Sequence, residues 1–206
     1  MSNRMYRRPK SGYSKPPKTK LNKVLSDVKK LKKAVPKAND PNITFLDHDT
    51  TVTNAGSVTS LALGTLQAQE DESNIRVVRI AGRILVTHNP AATAIKSFYT
   101  RIILFRDLQT NAATPTVDDV LRNVEPHSLY DPITRRRYKI LMDRTVRTSG
   151  IDQSGNVIVF NKKLNFLQSY DDASNCTKNN IYLLVLGDEA TNGADFKSNY
   201  EIHSYQ

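Results

Sequence analysis

The groups able to do chemistry in this 206-residue chain are thirty Lys and Arg, twenty Asp and Glu, four His and one Cys. Their spacing does not assemble an enzyme. There is no G-x-S-x-G elbow, no phosphate-cradling Gly-rich loop and no H-E-x-x-H. His48, His88, His127 and His203 are isolated from one another. Asp47-His48-Asp49 offers metal-ligand types, but three adjacent strand residues point to alternate faces. Asp118-Asp119 and Asp171-Asp172 are paired acids of the kind that start a helix or sit in a turn, since adjacency does not aim both groups at one substrate. Glu70-Asp71-Glu72 carries charge enough for an ion but no ligand pattern, so the metal ligands are left unassigned. Cys176 has no neighbouring His and reads as a buried or loop thiol. No catalytic residue is assigned, and the chain is read as a non-enzyme.

What remains is the chemistry of cations on a polyanion. Residues 1–38 hold thirteen Lys or Arg against the single acid Asp27, a net of +12, while the other 168 residues sum to −2. Such a block repels itself unless a polyanion neutralises it. Nucleic acid is the natural partner, because each cation set on a phosphate releases a condensed counterion. The candidate phosphate contacts in the arm are Arg4, Arg7, Arg8, Lys10, Lys15, Lys18, Lys20, Lys23, Lys29, Lys30, Lys32 and Lys33. With no Trp in the chain and no aromatic platform in the arm, the contacts should read phosphate and not base faces. A second basic feature, Arg135-Arg136-Arg137, follows the turn sequence Tyr130-Asp131-Pro132-Ile133-Thr134. It reads either as a solvated loop or as a further phosphate contact.

These cations need elements to position them. Pro9, Pro16, Pro17 and Gly12 predict an unstructured start. Over residues 20–35, Leu21, Val24, Val28, Leu31 and Val35 fall at a/d spacing, Leu25 widens the stripe, and lysines take the opposite face. The pattern predicts a short basic amphipathic helix stopped by Pro36. Two heptads are too short to stand alone, so the stripe needs a partner. It lacks the aromatic residues that anchor at a membrane surface, and no run approaches the ~18 apolar residues of a span. The first twenty residues have no apolar core of a secretory signal, and a lone Cys cannot form an internal disulfide. The expected organisation is a basic arm, 1–38, and a β domain, 39–206.

The domain reads as all-β. Strand-like runs are expected at Ile43–Thr53, Asn74–His88, Ser97–Asp107, Tyr138–Thr148, Val157–Leu167, Asn180–Gly187 and Tyr200–Tyr205. In the second, Val78, Ile80, Ile84 and Val86 are assigned to one face, with Arg79 and Arg83 opposite; in the fourth, Tyr138, Ile140, Met142 and Val146 form the inward set. Ser97–Asp107 and Ile181–Leu186 are more continuously apolar, as strands covered on both faces would be. One helix is expected after Thr116, through Val117-Asp118-Asp119-Val120-Leu121-Arg122. Seven or eight strands in two sheets suggest an eight-stranded antiparallel jelly-roll sandwich.

Phe98–Asp143 resembles the satellite tobacco necrosis virus coat protein family. The matching pieces are Leu104-Phe105-Arg106-Asp107, Thr114-Pro115-Thr116-Val117, Val120-Leu121, Tyr130-Asp131-Pro132-Ile133-Thr134 and Arg137-Tyr138-Lys139-Ile140-Leu141-Met142-Asp143, in that order. Weaker similarity continues through Leu183–Gly187 and Tyr200-Glu201, and similar capsid proteins occur in small circular single-stranded DNA viruses. The resemblance implies a jelly roll assembled as sixty copies in a T=1 icosahedral virion, built in the host cell interior around single-stranded genomic RNA, or single-stranded DNA. It implies that the arm helices meet in threes, so that Leu21, Val24, Val28, Leu31 and Val35 would seal a bundle. It places the family's inner-surface basic contacts on Arg106, Arg136 and Arg137, with a looser match at Arg79. It also implies structural calcium between subunits. The chain ends His203-Ser204-Tyr205-Gln206 where the family has a carboxylate ligand, and the acidic ligand from the arm region has no clear counterpart, so the calcium ligands are not carried over. No cofactor is otherwise required. Two other readings fit the composition: a cellular RNA-binding β domain that forms no shell, and a carbohydrate-binding jelly roll with an incidental tail.

Overall fold

The computed structural model describes residues 41–61, 74–91, 97–109, 113–149, 155–170, 176–191 and 193–205. The arm cations, the arm helix, Glu70-Asp71-Glu72 and Asp171-Asp172 lie outside the described residues. The strands are β1 (Asn42–Val52), β2 (Ser57–Ser60), β3 (Asn74–His88), β4 (Ser97–Asp107), β5 (Tyr138–Ser149), β6 (Asn156–Tyr170), β7 (Cys176–Lys178), β8 (Asn180–Gly187) and β9 (Ala194–Tyr205); one helix, α1, spans Val117–Val120. They form a five-stranded sheet in the order β1-β9-β3-β6-β7 and a four-stranded sheet in the order β2-β8-β4-β5, with every pairing antiparallel. The chain crosses between sheets after β1, β2, β3, β5, β7 and β8, which is the jelly-roll path. Seven of the nine strands fall on the expected runs; the two short additions are β2, at the edge of the smaller sheet, and β7, three residues at the edge of the larger sheet.

Two apolar clusters explain why β4 and β8 are apolar on both faces. Their inward residues, Ile102, Leu104, Ile181, Leu183 and Val185, meet Ile80, Ile84, Phe196 and Tyr200 between the sheets. Their outward residues, Ile103, Phe105, Tyr182, Leu184 and Leu186, are covered by Val117, Val120 and Leu121. The stretch from 113 to 137 is therefore a lid on the smaller sheet. Each fully buried Leu or Ile contributes ~1.5–3 kcal/mol, so both layers matter to stability. Gly82 lets the inter-sheet layer close: a Cβ there would lie 2.6 Å from the Asn199 carbonyl oxygen and 2.9 Å from Tyr200 Cδ1.

Several sequence expectations need correction. In β3 the buried residue is Val77; the register shifts between Val77 and Arg79, so Val78 is half-buried. In β5 the expected inward set divides. A shift opposite Leu104 and Phe105 sends Tyr138 and Ile140 to the outer cluster, while Met142 and Val146 join the inter-sheet core. β9 begins at Ala194, not Tyr200. The helix is a single turn, because Leu121 is already extended, with φ −113° and ψ 146°.

Candidate nucleic-acid interface and its supporting network

The end of β4 sets the geometry of the predicted basic contacts. Successive strand residues face opposite ways, so Arg106 turns inward between the sheets and Asp107 turns outward. Asp107 is fully buried and accepts hydrogen bonds from Arg137 Nε at 2.9 Å and Nη2 at 2.6 Å, and from the Gln109 amide at 3.0 Å. This bidentate bond raises the Arg137 pKa above its usual value. The guanidinium also lies over the Tyr138 ring at 5.2 Å. Arg137 is thus a strut between β4 and the start of β5, with Nη1 outside the fork. Its backbone is set by Arg137 N–H donating to Thr134 at 2.7 Å and Arg135 N–H donating to Asp131 at 3.0 Å. Arg135 and Arg136, on the same turn, are exposed.

Arg106 sits over the Phe166 ring of the opposite sheet at 4.3 Å. Its Nε is buried and has no hydrogen-bond partner among the described residues, and burial draws its pKa below the usual value. Lys139 is its register partner across β5. Phe166 is also part of a row across the larger sheet, Phe166–Val77–Ser204–Asn42. Three strand spacings of ~4.8 Å put the first residue of β1 within ~15 Å of Phe166. The point where residue 41 leads into the domain therefore shares an end of the sandwich with Arg106. The three family-matched arginines do not form one cluster: Arg106 lies between the sheets, Arg137 on Asp107, and Arg136 in solvent.

Arg79 lies on the outer face of the larger sheet. Its Nε donates to Asn161 Oδ1 at 2.9 Å, and its Nη2 is 3.5 Å from Glu201, which also lies 3.3 Å from His203 Nε2. Both Arg79 and Glu201 are more than 30% exposed, so this pair is worth little to stability.

Sequence reading missed a second charged network. Arg101, 8% exposed, gives Nε and Nη2 to Asp143 at 3.0 and 2.7 Å, and Nη1 to the carbonyls of Pro126 and Ser128. Tyr130 donates its hydroxyl to the same carboxylate. Burial would push the Asp143 carboxyl up, but Arg101 and Tyr130 together hold it below the usual range. Burial and the Asp143 contact push the Tyr130 hydroxyl up to about 12. The signal was a lone Arg inside Phe98-Tyr-Thr-Arg-Ile-Ile-Leu-Phe105, diagonal in register to Asp143.

The acidic motifs resolve into structural roles. Asp47 accepts from Asn199 at 2.6 Å on one face of β1, while His48 meets Thr59 on the other. Asp119 accepts from the Thr116 amide at 2.7 Å at the helix start. Among the described residues no three His, Cys, Asp or Glu side chains converge to hold a metal. Cys176 is buried, with its thiol pushed up to about 11 by desolvation.

The chain is similar to several known proteins. The family model described as satellite tobacco necrosis virus coat protein matches residues 13–205. The capsid protein of satellite tobacco necrosis virus 1 is 34% identical over 143 residues, covering 65% of this chain and 70% of that protein. The coat protein of satellite tobacco necrosis virus 2 is 28% identical over 168 residues, covering 77% and 82%. Among solved structures, Desmodium yellow mottle tymovirus aligns with a TM-score of 0.38 at 12% identity, over 83% of this chain and 93% of that one.

Proposed function

Since this chain belongs to the satellite tobacco necrosis virus coat protein family, with a structural and not an enzymatic role, we propose that it self-assembles into a sixty-copy T=1 virion shell and packages a single-stranded genome, RNA or DNA, through its basic arm. The observation that carries this reading is the division of charge, +12 in residues 1–38 against −2 in the remainder. Sixty such arms bring about +720 into one particle, and each cation can release one counterion from a phosphate. That is enough to neutralise most of a genome of roughly a thousand nucleotides, with little dependence on sequence. Assembly takes place in the host cell interior.

The domain would add contacts at its basic end. Arg136 is exposed and available to a phosphate. Arg106 carries an unpaired Nε, and phosphate binding there would offset its desolvation. Arg137 would offer its remaining nitrogen while its fork on Asp107 keeps the turn in place. The arm stripe, Leu21 to Val35, would join three arms beneath the shell. A calcium ion shared between subunits would need ligands from more than one copy.

Electron microscopy of the purified chain, with nuclease-treated absorbance at 260 and 280 nm on the same sample, tests the proposal. Uniform shells of roughly 20 nm, the scale set by sixty copies of a 23.2 kDa chain, with protected nucleic acid, are expected. Monomers or small oligomers in the presence of RNA would overturn it in favour of a domain that binds without assembling. Deleting residues 1–36 should leave a folded β domain that packages little or no nucleic acid; normal packaging by that variant would refute the role of the arm.

A further inference from the structure

The most exposed large apolar side chains among the described residues are Ile133, 86% exposed, and Leu129, 74% exposed. Both stand on the 113–137 lid, where Val117, Val120 and Leu121 are buried against the smaller sheet. Disorder does not account for the exposure, because the backbone beneath is heavily tied. The Arg122 amide donates to the Leu129 carbonyl at 2.9 Å, and the Asp131 amide to Val120 at 3.1 Å. Asp131 Oδ1 accepts from the Ile133 amide at 3.2 Å, and Thr134 Oγ1 donates to the Asp119 carbonyl at 2.5 Å. Arg101 holds the carbonyls of Pro126 and Ser128 from below. Preorganised aliphatic side chains held in water are what a docking knob requires, since the ordering cost is met before contact.

The opposite side of the sandwich is recessed. On the outer face of the larger sheet, Leu85 and Val157 line a shallow groove of about 520 Å³, in a row Asp49–Lys197–Leu85–Val157 across β1, β9, β3 and β6, with Asp47 and Arg83 also at its edge. Val157 and the adjacent Val159 are 63% and 68% exposed. A convex apolar feature on one sheet and a concave one on the other are the two halves of a heterologous contact, the kind that closes into rings when copies are related by rotation.

We propose that the Leu129–Ile133 knob is a subunit-contact anchor that inserts into the Leu85–Val157 groove of a second copy of this chain. The proposal rests on the shell reading above and adds to it a specific joint. Replacing both knob residues, in Leu129→Ser with Ile133→Ser, should leave unfolding and nucleic-acid binding by the arm unchanged. It should raise the protein concentration needed for shells by about tenfold or more, the size of effect expected from losing a desolvated anchor. The paired variant Leu129→Cys with Val157→Cys should give a ladder of disulfide-linked multimers when assembled shells are oxidised, and neither single variant should. Buried Cys176 stays out of the exchange. Shells formed by the serine variant at wild-type concentration, or a paired-cysteine shell that yields no ladder, would overturn the proposal. If the wild-type chain forms no shells at all, the shell reading itself fails, and the two failures are thereby distinguished.

Discussion

Asp143→Asn should lower the thermal stability of the dissociated subunit by roughly 5–10 °C at pH 7. The carboxylate takes two bonds from the guanidinium of Arg101, a residue only 8% exposed, and a third from Tyr130. Removing one partner of a buried ion pair costs about 3–5 kcal/mol. Two features reduce that here. The Asp143 side chain is 29% exposed, so water can partly replace it, and the carbonyls of Pro126 and Ser128 still accept from Arg101. We therefore expect about 2–3 kcal/mol. At ~2–4 °C per kcal/mol for a domain of this size, that gives the stated shift, and a total stability of ~5–15 kcal/mol leaves the variant folded. The pH dependence has a definite sign. The folded-state pKa of Asp143 lies below its ordinary value. Its contribution is thus complete above about pH 4 and is lost as the pH falls through the lower, folded value. The gap between wild type and variant should close in acid. Replacing both partners, in Arg101→Met with Asp143→Leu, should cost less than Asp143→Asn alone, because no charge is left buried without its partner. Differential scanning fluorimetry from pH 7 down to pH 2 measures all three. A shift below about 1 °C at pH 7, or a gap that widens in acid, would refute this account.

Two further outcomes follow from packing. Gly82→Ala should destabilise the domain by ~1–3 kcal/mol, since the new Cβ meets backbone oxygen at 2.6 Å and an aromatic carbon at 2.9 Å. A lower urea midpoint with unchanged slope would register it, and an unchanged midpoint would show that the sheet yields freely there. Cys176, buried and with its thiol pushed up to about 11, should react with iodoacetamide at pH 8 on the order of a hundredfold more slowly folded than unfolded, from loss of thiolate alone. Equal rates would mean that the β7 edge opens readily.

The sequence announced the strands whose two-residue period survives locally and obscured those whose period is broken by longer-range events. β3, β4 and β8 are found at their expected bounds because runs of Val, Ile, Leu and Phe end in turn residues. The first half of β9 was hidden because Ser198 occupies a buried position of its alternating face, and a buried serine carries no apolar signal. The faces of β3 and β5 were misassigned for a different reason. A bulge is a property of two paired strands, so neither strand contains it alone. The same limit governs the candidate interface. Arg137 reads locally as the end of an exposed basic triplet, and only the fold reveals Asp107, thirty residues earlier, as its partner. Arg106 reads locally as one more charged residue at a strand end, and only the opposite sheet supplies Phe166 beneath it. Charge composition points to a class of partner, but the division of individual arginines into struts and free contacts is set by tertiary neighbours. Arg136, exposed on a turn held by the Asp131 and Thr134 carbonyls, is for that reason a stronger domain candidate for phosphate than Arg137, although adjacent positions in sequence made them appear equivalent.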